Sequence, residues 1–475
     1  MRLGRRHWIV LVAAVLETAP GVTWGAEPTG GGSQDLNQKV ERLEQRVREL
    51  EAERAPGARL NPRDVDATVA AVQSDASRHT LAFPTGGLSG HDLDKGFFIK
   101  SDDGNFSLYP DLLLQFRGVA NYREDAKHGD ESDFESGFEI RRAKIGFYGT
   151  AFSPDLSYRF LWQSTNSASS LNLQYAFAQY IFAHKVLGGS GDLAIRAGQF
   201  KNIVFKEETT GDRAQIMVER SLANALLGGG ALGSETQGVD FLLTGANSPL
   251  HAEILIDDGI RSSNTDFRDN QPVTTTTGGV TTTANVATDF GIAARVDYKL
   301  FGRWGDADDL TGVWGRQDLL VLGAGVDFSQ GDNNSTYRYT ADVQYQLTKK
   351  FALLAALYGD YIELRNQGGD DNRTDWGAQI EGGYFIRPNV QAIARYSLVK
   401  LDGDFKTGGE DTFQEIAAGV NWFFGKDGHL GNRAKLTLDI NYLPNGTPAA
   451  PGLDYLASPN GNAEWVVRTQ LQFSL

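Results

Sequence analysis

Trp465-Val-Val-Arg-Thr-Gln-Leu-Gln-Phe-Ser-Leu475 decides the fold. Trp465, Val467, Thr469, Leu471, Phe473 and Leu475 place apolar or small groups on one face. Arg468, Gln470, Gln472 and Ser474 place polar groups on the other. Side chains alternate across a strand, so this segment reads as a strand with lipid on one side and water on the other. Every backbone polar group inside a bilayer must be paired, so such strands have to close into a ring, and a last strand of this kind is expected to pair with the first.

The same alternation recurs upstream. Period-two segments run over Phe106–Tyr122, Leu156–Gln163, Val239–Leu243, Phe290–Leu300, Tyr337–Leu347, Trp376–Tyr384, Val390–Leu398, Ile416–Phe424 and Ala434–Tyr442, with less regular ones near 134–151, 171–183, 192–201, 250–257, 318–329 and 350–363. With the final segment the sum is about 16, an even number of the kind bacterial barrels use. Tight links (Ser153-Pro154-Asp155, Asn247-Ser248-Pro249, Thr348-Lys349-Lys350, Arg387-Pro388-Asn389) tend to alternate with long ones (202–234, 258–288, 363–374, 399–412, 444–463). Short turns on one side and long loops on the other are the habit of an outer-membrane barrel. In Tyr337–Leu347 the lipid face reads Tyr337, Tyr339, Ala341, Val343, Tyr345, Leu347, while Arg338, Asp342 and Gln344 point the other way. Tyr122, Tyr298, Trp376, Tyr384, Trp422, Phe424 and Tyr442 lie near segment ends, where lipid headgroups are expected.

Composition agrees with this class. The chain has 475 residues, 41% of them hydrophobic, with 55 Gly, 11% aromatics and no Cys. Beyond the N-terminus no stretch approaches the roughly 18 unbroken apolar residues of a membrane helix. Without cysteine there are no disulfides or thiolate metal sites. Arg2, Arg5 and Arg6 precede an apolar run from Trp8 to Leu16, with a small-residue site near Gly25-Ala26, so residues 1–26 read as a signal peptide. That segment carries three Arg and one Glu, and its removal takes the formal charge from −15 to −17. Nucleic acid is an unfavourable partner for so acidic an exported chain.

Four pieces follow: the signal peptide, a periplasmic coiled coil over 27–54, a linker over 55–104 and an outer-membrane β-barrel over 105–475. Leu36, Val40, Leu43, Val47 and Leu50 recur at spacings of four and three, which predicts a short self-associating coiled coil. The alternative is a lone amphipathic helix, marginal at that length. The linker mixes Pro56, Pro62, Pro84 and Gly86-Gly87, with one short helix expected around Val65–Val72. The fold class is therefore all-β: a transmembrane antiparallel barrel of about 16 strands with a short N-terminal coiled-coil helix.

Phe138-Glu-Ile-Arg141-Arg142-Ala-Lys144-Ile-Gly-Phe-Tyr-Gly149, then Arg196-Ala-Gly-Gln-Phe-Lys201 and Glu219-Arg220-Ser221, resemble the phosphate-selective porin O/P family, as does Phe106-to-Arg117 following a coiled coil. The resemblance spans roughly residues 95–475 and is strongest between 134 and 221. It implies a 16-stranded homotrimeric porin of the Gram-negative outer membrane, with loops folded inward to narrow each pore. Its implied partners are small solutes or anions, outer-membrane lipid and the barrel-assembly machinery. The family usually ends in Phe, whereas this sequence reads Phe473-Ser-Leu475. Phosphate selectivity in its namesakes depends on lysines and arginines of inward loops.

Strand parity assigns Arg117, Arg142, Lys144, Arg159 and Arg196 to the lumen, with Asp111 as nearly the only acid among them. Parity breaks at Arg141-Arg142, because Phe138 and Ile140 share one face and Ala143, Ile145 and Phe147 the other, which predicts a bulge that re-aims the arginines. Lys201, Lys206 and Arg220 join them at the start of, and within, the 202–234 segment, the candidate constricting loop, which also carries Arg213 and the apolar Leu226-Leu227. Aligned guanidinium groups in a narrow pore favour anions. Later strands mix signs (Arg295 with Asp297, Arg395 with Glu381, Lys435 with Asp439), and such pairs read as lumen networks that stiffen the wall. Acids such as Asp306, Asp308, Asp309, Asp370 and Asp371 are expected in solvated tips.

Other chemistry is poorly supported. Leu226-Leu-Gly-Gly-Gly230 lacks the Lys-Ser/Thr of a phosphate-binding P-loop. Seven histidines include no His-x-x-x-His pair, and only His251, near a strand start, could serve a barrel hydrolase. No cofactor and no metal site is expected, and the chain is read as a non-enzyme. A structural tether acting through the coiled coil and an outer-membrane enzyme are the alternatives to a diffusion porin for small, anionic, phosphate-like solutes.

Overall fold

The chain divides into two units, Met1–His79 and Thr80–Leu475. The computed structural model describes residues 87–475 apart from 93–95, 125–132, 166–169, 230–233, 261–273, 278–279, 284–287, 314, 316, 332–333, 365–371, 404–409, 449–452 and 457–460. The signal peptide, the coiled coil and the helix expected at Val65–Val72 lie outside the described residues.

Sixteen strands form the wall: β1 (Ser107–Arg123), β2 (Phe134–Ala151), β3 (Ser153–Thr165), β4 (Asn172–Lys185), β5 (Gly191–Lys201), β6 (Glu235–Thr244), β7 (Leu250–Asp257) and β8 (Thr288–Phe301) make one half. The other half is β9 (Leu319–Gly331), β10 (Asn334–Leu347), β11 (Phe351–Leu364), β12 (Arg373–Arg387), β13 (Val390–Lys400), β14 (Thr412–Phe423), β15 (Ala434–Leu443) and β16 (Glu464–Ser474). Consecutive strands pair antiparallel, and β16 pairs with β1 from Glu464↔Arg123 to Ser474↔Leu113. The barrel is closed, as the terminal segment required.

Period-two sequence becomes two-sided burial. Tyr337 and Tyr339 are exposed on the outside of β10, while Arg338, Asp342 and Gln344 are buried inside. On β16 Trp465, Val467, Leu471 and Phe473 face out, and Arg468, Gln470 and Gln472 face in. The aromatics split into two levels. Tyr122, Trp376, Tyr442 and Trp465 lie at the long-loop end, and Tyr298, Tyr384 and Trp422 at the short-turn end, as girdles at two headgroup layers would.

Gln115 pairs with Arg142 but Phe116 with Ile140, so Arg141 is the extra residue of a bulge, and both arginines are buried on the lumen side. The parity break has this cause. Two departures matter. Two stretches read as linker, Gly87–Asp92 and Gly96–Ser101, pair antiparallel, and the second joins the foot of β1 through Ile99↔Leu108 and Lys100↔Ser107. Both are too short for alternation to show in the sequence. Second, the β8–β9 connection, 302–318, is long although it belongs to the short-turn end.

Candidate functional site

Residues 202–229 enter the barrel and are bonded to the wall from Val204 to Gly228. At its start Arg295 on β8 donates to the Val204 carbonyl at 2.6 Å. Val204 lies against Gly325 on β9, where a Cβ would come within 2.7 Å of that carbonyl oxygen. Further on, Lys435 on β15 donates to Gln215 O (2.8 Å) and Asn421 on β14 to Ile216 O (2.9 Å), and Val218 N–H donates to Asp439 (3.1 Å). Ser221 caps a short helix, Leu222–Leu227, by accepting from Asn224 N–H. The helix rests on β11–β13, with Leu227 and Ala223 fitting over Gly377. Glu415 accepts from Leu222 N–H (2.8 Å) and Ser397 from Ala223 N–H (3.0 Å), which supplies the donors a helix start leaves open. Arg338 on β10 donates to Gly228 O at its end (2.9 Å).

Apolar contacts complete the seal. Leu222, Ala223 and Leu227 share a buried cluster with Ala356, Tyr358, Val399 and Phe413 of the wall. Ile216 and Met217 pack with Leu354, Ile393 and Ala417, and also with Leu310 from the β8–β9 connection.

Two loop carboxylates face the basic wall. Glu219 accepts from Arg117 (2.6 Å), Arg141 (2.6 Å) and Arg142 (2.8 Å). Asp212 takes Lys144 and, at 2.7 Å, Arg220. Burial by itself would push both acids up. The surrounding cations outweigh it: Arg141, Arg142 and Arg117 hold Glu219 well below the usual carboxylate range, and Lys144, Arg142 and Arg220 do the same for Asp212. Glu208 is held down to about 2, since Arg220, Lys201 and a hydrogen bond from Asn224 overcome its burial. Arg220 also donates to the carbonyls of Glu207, Glu208 and Thr210, folding the loop upon itself.

A cavity of about 540 Å³ lies between the loop and β1–β8. Arg159 borders it with its side chain about one-third exposed, bonded to Asp111 at 2.6 Å and set over the Tyr175 ring at 4.5 Å. Arg196 lies over Phe200 and is bonded to Asp240 and Glu253. Arg213 shares Asp111 at 3.7 Å and is nearly half exposed. Lys206 lines the cavity with no ion pair among the described residues.

The eight basic residues singled out in the sequence thus occupy three settings. Arg117, Arg142 and Arg220 are buried in loop anchorage. Lys144 and Lys201 line the cavity while bonded to Asp212 and Glu208. Arg159, Arg196 and Lys206 present charge to the open space. The anchoring roles of Glu219 and Asp212 were not legible, because the wall residues Arg142 and Lys144 that they meet lie 77 and 68 residues away in sequence. The inward course of the β8–β9 connection was also missed. Asp306 and Asp309, expected in a solvated tip, are buried, and Asp309 O accepts from Gln344 (3.2 Å) and from Gln346 inside the barrel.

His251 stacks on Trp304 at 3.7 Å, and its Nε2 faces the Gly245 carbonyl at 3.1 Å, which makes it a packing group at a turn. Among the described residues no group of three or more His, Asp or Glu is placed to hold a metal.

Comparison with known proteins bears on this arrangement. None of the curated proteins is detectably similar in sequence. Among solved structures, the chain is similar to an anion-selective porin from Comamonas acidovorans (12% identity, 78% of this chain and 100% of the other, TM-score 0.52). It is also similar to OmpF of Salmonella typhi in complex with daunomycin (16%, 78% and 98%, TM-score 0.48) and to the outer-membrane channel DcaP of Acinetobacter baumannii (13%, 79% and 99%, TM-score 0.46). The profile of one family, phosphate-selective porin O and P, matches residues 115–297, which run from the lumen face of β1 through the bulge, the inward loop and β8. The family match covers those residues, and together with the closed barrel it places the protein in the Gram-negative outer membrane.

Proposed function

We propose that the protein is a diffusion channel for small anionic solutes, phosphate-like ones included, that pass along the β1–β8 side of the lumen. One observation carries this reading. The loop fills the β10–β15 side, and the space left open is bordered by Arg159, Arg196, Lys206 and Arg213. Seven Lys and Arg side chains line it against five Asp and Glu, so the lining holds a small excess of cationic charge. A net charge of −15 on the chain does not oppose this, since the potential at a constriction is set by the charges nearest the path.

The functional unit in this proposal is a homotrimer in outer-membrane lipid, inserted by the barrel-assembly machinery after removal of residues 1–26, with 27–54 as a periplasmic coiled coil. Reversal potentials in a salt gradient across planar bilayers test the channel. Wild type is expected to favour chloride over potassium, and Arg159→Ala and Lys206→Gln to move the potential toward the cation value. An absence of unitary conductance from pure protein would sink the porin reading. Conductance with unaltered potentials in both variants would sink the anion reading alone.

A further inference from the structure

Periplasmic turns of outer-membrane barrels are short, yet 302–318 is long and runs inward. Its described part begins with the turn Trp304–Ala307. It then meets the constricting loop directly: Leu310 N–H donates to Ala214 O at 3.1 Å, and Leu310 packs on Ile216 and Met217. The segment is fixed from the wall as well. Gln391 on β13 donates to Thr311 O (2.8 Å), and Asn432 donates to Asp309 (2.9 Å) and Thr311 (3.1 Å). Asp309 accepts from both the amide and the hydroxyl of Thr311, which shapes the bend. A segment held by this many buried hydrogen bonds is a built part of the lumen.

One residue of the segment is not absorbed in that scaffold. Asp308 is exposed while Asp306, Ala307, Asp309 and Leu310 around it are buried, and it lines the same cavity as Lys206 and Arg213. Neither Asp308 nor Lys206 has an ion pair among the described residues. In the passage Lys206 and Arg213, from the long-loop end, face Asp308, from the short-turn end.

We propose that the β8–β9 connection is a second constricting element, entering from the periplasmic side, and that Asp308 on it is a specificity-determining residue that opposes the basic lining and limits passage of anions. The inference rests on the cavity being the solute path. The loop sets the sign of the selectivity and the connection limits its size, so the pore is weakly rather than strongly anion-selective. Asp306 and Asp309, being committed to the scaffold, do not share this role.

The test is Asp308→Asn in the full-length protein, measured beside Lys206→Gln and Arg159→Ala by reversal potential and unitary conductance. Asp308→Asn is expected to raise the anion-to-cation permeability ratio roughly four- to sixteenfold, because a unit charge about 5–10 Å from a permeating ion in a water-like dielectric changes the anion and the cation about two- to fourfold each, in opposite directions. Asp308→Lys is expected to extend the shift in the same direction. Lys206→Gln should lower the ratio. If Lys206→Gln and Arg159→Ala shift the ratio while both Asp308 variants leave it unchanged, the cavity is the path and the proposal for the connection is overturned. If none of them changes potential or conductance, conduction avoids this cavity, and both readings fall.

Discussion

Glu219 gathers three guanidinium groups from two strands, and this single carboxylate explains why Arg117, Arg141 and Arg142 contribute less to the pore than their number suggests. A buried cation cluster is tolerable only when matched, and removing the matching acid leaves charges stranded at a cost of about 3–5 kcal/mol. Glu219→Gln is accordingly expected to release the loop, seen as higher unitary conductance with more current noise, while Arg159→Ala changes selectivity with little noise. The acids also set a pH window. Glu208 has a folded value near 2 against an ordinary 4.5, and Glu219 and Asp212 are likewise depressed. A depressed carboxyl stabilises the folded arrangement above its unfolded value and stops doing so as pH falls through the folded one. Loop anchorage should thus be intact at pH 5 and weaken progressively toward pH 2. Conductance that stays quiet and constant down to pH 2 would show that ion pairing does not hold the loop. At this scale the sequence disclosed direction but not partnership. The two arginines of the bulge were legible from the broken alternation of Phe138, Ile140 and Ala143, whereas the loop that supplies the acid was legible as inward without any sign of which wall residues it meets.

Among the elements, β11 is instructive. Phe351-Ala-Leu-Leu-Ala-Ala-Leu-Tyr358 is apolar on both faces and blurs the period of two, because Leu353 and Leu357 meet lipid while Leu354, Ala356 and Tyr358 meet the inward loop. Weak alternation in one wall strand of a barrel therefore signals something packed against its inner side. Glycine supplies the same signal at Gly325 and Gly377, lumen-facing positions where the start of the loop and its short helix come too close for a side chain. Gly377→Leu is expected to lift Leu222–Leu227 from the wall and increase conductance while the barrel still assembles. An unaltered conductance would mean that the helix relocates without widening the path. The strand ladder was readable because its period is local and the 202–234 loop from its length and its apolar Leu226-Leu227, whereas the inward β8–β9 connection was not, because it is defined by where it ends.

For the whole molecule, the lumen is divided: the β10–β15 side is filled by loop and connection, and the β1–β8 side carries the open cavity. Wall charges on the filled side, such as Arg395 with Glu381 and Glu415, serve packing, which is how mixed-sign later strands were read. The seam has a different consequence. β1 and β16 are joined over eleven residue pairs, from Glu464↔Arg123 to Ser474↔Leu113, so the ladder has no margin from which to peel. Disassembly then requires a whole strand pair to part at once, and the barrier, rather than the equilibrium, governs how long the protein lasts. The protein should migrate as a compact species in cold dodecyl sulfate and as an extended one only after boiling. A Pro at Thr469, which removes a donor from the seam, should lower the temperature of that conversion. Persistence of this kind suits a wall that faces a changing exterior, where a slow exit from the folded state protects better than a favourable return to it.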